Sequence, residues 1–204
     1  MKLNENDYEK RKLLIESAKK EFLSKGYNKA SLRNICANAG VTTGALYFFF
    51  ENKEDLYNAI VNGPIEELKK LVIDHFNIDC AYNKKIEIDL SDLDHTDLSD
   101  EICELVYKNY DCFMLVLSGS REGTKEQLID EFVHLIETSY MEMLDRSINY
   151  GYDTFMIHWL AHTMIDSLIH IIKHEPDVNI AKKRMAAVMN LLVAGSVQFV
   201  ITPK

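Results

Sequence analysis

Five side chains on one stretch have types and spacing that could do chemistry: His158, His162, Asp166, His170 and His174. They recur every four residues, so neighbours in the series share one side of a helix. Two imidazoles at that spacing can share a metal ion, and His162 with Asp166 has the same geometry. A period of four drifts by ~40° per step against 3.6 residues per turn, so the five cannot all face one ion. The preferred reading is a polar seam at a helical interface, or side chains lining a pocket, and no bound metal or cofactor is expected. In either setting the imidazoles could make association or ligand binding sensitive to pH. Enzymatic constellations are missing: the chain has no Gly-rich phosphate loop, no GxSxG and no HExxH.

A second set lies near the N-terminus, in SLRNICANAGVTTGALYFFFENKEDL, residues 31–56. Ser31 suits the N-cap of a short helix from Leu32 to about Ala39, with Leu32, Ile35, Cys36 and Ala39 on one face. Gly40 suits the left-handed residue that ends it, and Val41 can fill the angle before the next helix. Thr42 caps that second helix, which opens on the small residues Thr43, Gly44 and Ala45. Such an opening can enter a DNA major groove without clashing. Thr43, Gly44 and Tyr47 are the candidate groove contacts. Thr42, Tyr47 and Lys53 are candidate phosphate contacts, Lys53 helped by the positive end of its own helix. Arg33 and Arg11 are secondary phosphate candidates.

The run AGVTTGALYFFFENKEDL resembles the signature of the TetR (tetracycline-repressor) family of bacterial transcription regulators, roughly A-G-V-S-x-G-x-L-Y-x-H-F-x-x-K-E-x-L. Ala39, Gly40, Val41, Gly44, Leu46, Tyr47, Phe50, Lys53, Glu54 and Leu56 match, and Thr42 replaces Ser. Upstream, LLIESAKKEFLSKGYNKASLRNI is similar to the family's first helix and its Gly-Tyr corner. The specific resemblance covers about residues 8 to 62. Phe49 stands where the family usually has His, and Thr43 where Lys is common. Phe has no hydrogen-bond donor, so Phe49 is read as a packing or sugar-contact residue within the DNA-binding set.

The resemblance implies an all-α dimer. Residues 1–62 would form a three-helix DNA-binding domain. Residues 63–204 would form a larger ligand-binding and dimerisation domain. The implied function is a ligand-responsive transcriptional regulator, more a repressor than an activator, on a palindromic operator. The alternatives are a similar helical module that binds a protein partner without specific DNA binding, and a metal-responsive regulator using the histidine seam.

Composition agrees. The chain has 204 residues, 47% of them hydrophobic, with 3 Pro and 8 Gly, which favours helices and a sizeable core. The net charge of −9 is divided unevenly. Residues 1–62 hold 10 basic and 8 acidic side chains, whereas the remainder holds 13 and 24. At a Debye length of ~8 Å the local positive balance outweighs a remote acidic one. No secretory leader or membrane-length apolar run is apparent, and Cys36, Cys80, Cys103 and Cys112 form no CxxC pair. A cytoplasmic protein with reduced, mostly buried thiols is expected.

Caps and periodicity divide the rest. Asn6 or Asp7 would cap a first helix to about Ser24, with Leu13, Leu14, Ala18, Phe22 and Leu23 as its apolar stripe. Asn52, with Asp55 at the capping-box position, opens a further helix that Gly63-Pro64 should kink or break. Residues 77–98 alternate at Ile86, Ile88 and Leu90 and are dense in Asp; they read as an acidic loop before a helix capped by Ser99. Helices follow over Asp100 to about Ser118, Thr124 to about Asn149, a segment capped by Asp153 to about His174, and Asn179 to about Ile201. Gly151 would end the second of these. The last two are apolar around much of their circumference, which suggests pairing with a second copy as a four-helix bundle. Tyr110, Phe113, Met114, Tyr140, Trp159 and His162 are the candidate ligand-binding residues, from a wider set of Tyr, Phe and Met on the middle helices. The resemblance implies a small-molecule effector there, apolar or amphipathic.

Overall fold

The computed structural model describes residues 4–80, 96–118 and 121–203. Their order is α1 (Glu5–Lys29), α2 (Leu32–Ala39), α3 (Thr43–Phe49), α4 (Lys53–Cys80), α5 (Thr96–Lys108), α6 (Tyr110–Leu117), α7 (Thr124–Asp145), β1 (Tyr150–Tyr152), α8 (Thr154–His174), α9 (Val178–Val200) and β2 (Ile201–Pro203). The chain forms two compact units. One is the N-terminal part to Glu66 with Asn109–Lys125; the other is Glu67–Lys108 with Glu126 onward. The first unit thus takes in α6, which a boundary at residue 62 leaves with the rest.

In the first unit, α1 is capped by Asn4, ahead of the expected Asn6 or Asp7. Asn4 Oδ1 accepts from the Asp7 N–H at 2.9 Å and Asp7 Oδ2 accepts from the Asn4 N–H at 3.4 Å, a reciprocal capping box. Helical geometry breaks at Gly26, whose φ of 74° suits a residue without Cβ. Leu14, Ala18 and Phe22, spaced by four, are buried, but Leu13 and Leu23 of the expected stripe are exposed. Ser17 and Glu21 take the buried positions beside them, because the buried face is set by the 14-18-22 row.

Phe22 packs edge-on to Tyr57 of α4 at 5.6 Å between ring centres, and Tyr27 does so at 5.3 Å. The Arg121 guanidinium lies 5.7 Å from the Tyr57 ring centre and bonds Glu54 and Asn58. Tyr57 is fully buried and its hydroxyl has no hydrogen-bond partner among the described residues. Burial pushes that phenol up to about 12, so it stays neutral at ordinary pH. An unsatisfied buried hydroxyl costs about 1–3 kcal/mol. Tyr57→Phe is therefore expected to leave stability unchanged or raise it by about 1 kcal/mol in thermal unfolding. A decrease of that size would show that the hydroxyl is bonded.

Among its described residues the second unit is helical apart from one short pairing. The sequence reads one helix through Asp100–Ser118; the structure has α5 and α6, separated at Asn109 with φ −113° and ψ 31°. Ser99 does not cap α5 but lies inside it, buried. The alternating Ile86, Ile88 and Leu90 lie outside the described residues. α7 stops at Asp145, not near Asn149, and Gly151 sits in a strand. That strand, β1, pairs antiparallel with β2, Gly151 opposite Thr202. Asp153 caps α8 as expected, accepting from the N–H groups of Phe155 and Met156.

α8 is long and apolar enough by composition to cross a membrane, contrary to the sequence reading. It nevertheless carries Asp166 and four His, and buries Ile157, Leu160, Ala161 and Met164 within its own unit. Cys103, Ile171, Ala181 and Met185 from α5, α8 and α9 form one core cluster.

Of the kink or break expected at Gly63-Pro64, the break does not occur: α4 runs as one helix with Pro64 inside it. Interior proline costs ~3 kcal/mol. Leu56, Tyr57, Ile60 and Val61 before it and Leu68, Val72 and Phe76 after it are all buried, and that burial outweighs the local penalty.

Candidate nucleic-acid interface

Local chemistry sets the two helices of the turn. Ser31 Oγ accepts from the Asn34 N–H at 3.4 Å, Gly40 ends α2 at φ 68°, and Thr42 Oγ1 accepts from the Ala45 N–H at 3.2 Å. Ile35, Cys36 and Ala39 of α2 and Leu46 of α3 are buried. Ser17 Oγ of α1 donates to the Ile35 carbonyl at 2.9 Å, which pins α2 to α1.

Glu21 is the second pin. Its Oε1 accepts from Lys25 Nζ at 2.8 Å, the Ser31 N–H at 3.2 Å and Asn34 Nδ2 at 3.4 Å, with the side chain 5% exposed. The Lys25 hydrogen bond, with help from Ser31 and Asn34, holds its pKa below the ordinary carboxylate value despite the opposing cost of burial. A lowered native pKa adds stability above the unfolded value of about 4.3 and loses it as pH falls through the native one. Glu21→Gln is expected to cost about 1–3 kcal/mol at pH 7 and to flatten the loss of stability below about pH 5. Thermal unfolding at pH 7 and pH 4 checks this; equal pH dependence in parent and variant would refute it.

The solvent face of α3 is formed by Thr43, Gly44, Tyr47 and Phe48, all exposed, while Leu46 and Phe50 face inward. A Cβ built at Gly44 would meet nothing nearer than Thr42 Oγ1 at 3.9 Å. Nothing inside the protein therefore demands glycine there. Burial raises the pKa of the Cys36 thiol.

Lys53 is half-buried. Its Nζ donates to the carbonyls of Asn28 at 3.3 Å and Ala30 at 3.1 Å and lies 4.8 Å from the Tyr27 ring centre. An ammonium has three donors, so one is left for a phosphate. Arg33 is exposed on α2, and Arg11 sits 5.3 Å over the Phe50 ring. Phe49 is half-buried, edge-on to Phe48 at 4.9 Å and 6.4 Å from Phe50. Phe48, half exposed at the end of α3, was not singled out by sequence reasoning. Its signal was available: it lies one turn beyond Gly44 on the reader face.

The ligand candidates separate. Tyr110, Phe113 and Met114 belong to the first unit. Trp159 is exposed and His162 half-buried on α8. Of the six, Tyr140 lines an apolar cavity of about 70 Å³ in the second unit, separate from a wider, more open groove of about 350 Å³ at Thr163, Asp166, Ser167 and His170 of α8. The cavity's other walls include Phe76, Ile102, Ile136, Leu168, Met185 and Met189, and the surface they expose is wholly apolar. Burial raises the pKa of the Tyr140 hydroxyl, so it carries no charge there.

In the histidine seam, His158 and His162 pack at 4.6 Å between ring centres and His170 and His174 at 4.5 Å. His158 Nδ1 lies 2.6 Å from Glu137 Oε1. Among the described residues no three His, Cys, Asp or Glu side chains converge as metal ligands.

Residues 14–60 match the family model of bacterial regulatory proteins, tetR family. Over 63 residues the chain is 40% identical to the transcriptional repressor BepR of Brucella suis, covering 29% of this chain and 30% of that protein. It is 28% identical over 124 residues to the transcriptional regulator TtgR of Pseudomonas putida, covering 50% and 57%. The chain thus spans between about a third and somewhat over half the length of these curated relatives. Among solved structures, a transcriptional regulator from Aquifex aeolicus superposes with a TM-score of 0.66 at 17% identity, over 90% of this chain and 99% of that one. A gamma-butyrolactone receptor superposes at 0.63 and 21% identity, over 96% and 90%. These likenesses establish the shared all-α fold.

Proposed function

We propose that this chain, a member of the tetR family of bacterial regulatory proteins, is a repressor that binds a palindromic operator as a dimer and is released by a small apolar effector. The observation that carries the reading is the solvent face of α3, held by caps at Ser31 and Thr42 and by Glu21 and Ser17. Thr43, Gly44, Tyr47 and Phe49 stand at or beside the groove, with Thr42, Lys53 and Arg33 toward the phosphates. A protein that reads chromosomal DNA works in the cytoplasm.

α8 and α9 supply the dimer interface. They leave Phe155, Trp159, Ile180, Leu191 and Phe199 exposed, together with the small Ala187, Ala194 and Gly195. Large apolar side chains left in solvent mark an association surface, and small ones allow close helix approach. The histidine seam lies on α8 of this surface. The cavity of the second unit receives the effector. A wall of carbon and sulfur favours an uncharged, apolar molecule, since burying an unpaired ion there is prohibitive. Tyr140 supports this choice; Trp159 and His162 fit the interface better than the pocket.

Enrichment of bound duplexes from a random pool tests the reading. A dimer presents two reader helices, so the enriched sequence should be an inverted repeat with half-sites ~34–36 Å apart or a multiple of that. Recovery of no duplex would favour the second reading, a helical module for a protein partner. The absence of any charged or amide side chain on α3 speaks for that alternative.

A further inference from the structure

Direct readout of bases usually rests on Arg or Lys for guanine, Asn or Gln for adenine, and Asp or Glu for cytosine. α3, TGALYFF, has none of them. Its exposed face offers two hydroxyls and one exposed hydrocarbon ring. Phe48 is 50% exposed and stands beside Tyr47 on the open face of α3. Its ring packs edge-on against Phe49 at 4.9 Å, and Phe49 in turn packs toward Phe50, under the Arg11 guanidinium. A ring braced on one side loses less entropy when it docks.

In the major groove, the feature that an apolar ring can distinguish is the C5 methyl of thymine. We infer that Phe48 is a specificity-determining residue that reads a thymine methyl in each operator half-site, with Phe49 as its positioning residue. The inference rests on the DNA-binding reading of the same helix. Duplex DNA is the occupant this face fits. Residues 1–62 are net positive within an otherwise acidic chain, and bare Gly44, one turn before Phe48, leaves room for a base edge.

The test uses the full chain and a duplex enriched from a random pool, resynthesised with deoxyuridine for thymine at one half-site position at a time. Burying one methyl is worth about fourfold in affinity, so the replacement at the contacted position should weaken binding about fourfold, and about fifteen-fold when made in both half-sites. Phe48→Ala should bind the thymine and uracil duplexes alike. Phe48→Leu should keep part of the preference, because it keeps an apolar surface. Equal binding of both duplexes by the parent overturns the inference while leaving the DNA-binding reading intact. So does an undiminished thymine preference in Phe48→Ala. If the pool yields no bound duplex, the DNA-binding reading falls and takes the inference with it. The thymine-to-uracil comparison on the parent needs no variant to fold.

Discussion

Ile102→Trp, which fills the cavity of the second unit, is expected to abolish effector-driven release of DNA while leaving DNA binding itself near the parent's. The reason is thermodynamic. An effector moves an equilibrium only by its difference in affinity for two states, and couplings of ~1–3 kcal/mol give 5–150-fold changes in operator affinity. A side chain that occupies the cavity removes that difference. At about 70 Å³ the cavity is roughly half the size of the ~150 Å³ apolar hole known to admit benzene. Slim molecules should therefore work best, with Met185 and Met189 able to shift and admit somewhat larger ones.

A series of straight-chain 1-alkanols is a practical probe, read by release of an enriched duplex. The parent should respond more strongly with chain length, and alkylammonium ions of the same length should fail because the wall offers no counter-charge. Overpacking costs about 1–3 kcal/mol, so folding of the variant is checked by thermal unfolding. Release from folded Ile102→Trp at the parent's alkanol concentration would place the effector elsewhere.

The reader region was legible because short-range rules decide it. Ser31, Gly40 and Thr42 each act on the chain within four residues, and each performs the predicted role. The misplaced start of α1 is a competition among cap-capable residues: Asn4, Asn6 and Asp7 are all suitable, and Asp7's reciprocal bond selects Asn4. Pro64 does not end α4, because burial on both sides of it outweighs the local penalty. Asn109 marks a helix boundary with no proline or glycine to announce it. Gly151 was read as a helix stop, whereas its strand partner Thr202 lies at the far end of the chain, beyond any periodicity window.

The cavity was the least legible feature. Its wall draws on α4, α5, α7, α8 and α9, and Tyr140 and Leu168 have no sequence pattern in common. Large apolar residues at helical spacing look the same whether they fill a core, line a hole or face a partner. Tyr140, Phe113 and Trp159 turn out to exemplify the hole, the other unit's core and the open surface respectively.

Lys53→Met is expected to weaken binding to every duplex and to lower the salt slope by ~0.9 for each phosphate that the dimer no longer neutralises. The substitution keeps most of the stem over Tyr27 and removes only the ammonium. Two of its donors hold the carbonyls of Asn28 and Ala30, at the corner between α1 and α2. Those bonds fix the nitrogen at the first residue of α4, beside the positive end of that helix, with one donor still available. Such a lysine is preorganised, so it can engage a phosphate with little cost in side-chain entropy.

The same bonds predict a structural cost of about 1.5–3 kcal/mol, the range for hydrogen bonds to charged groups. The two effects are separable. Weakening the corner lowers the unfolding temperature whether or not DNA is present, whereas withdrawing a charge from a phosphate changes the slope of log affinity against log salt. A Lys53→Met protein that is destabilised but has the parent's salt slope would show the residue to be purely a brace of the α1–α2 corner. The phosphate would then have to be held by Arg33 or Arg11, and charge removal there should carry the slope change instead.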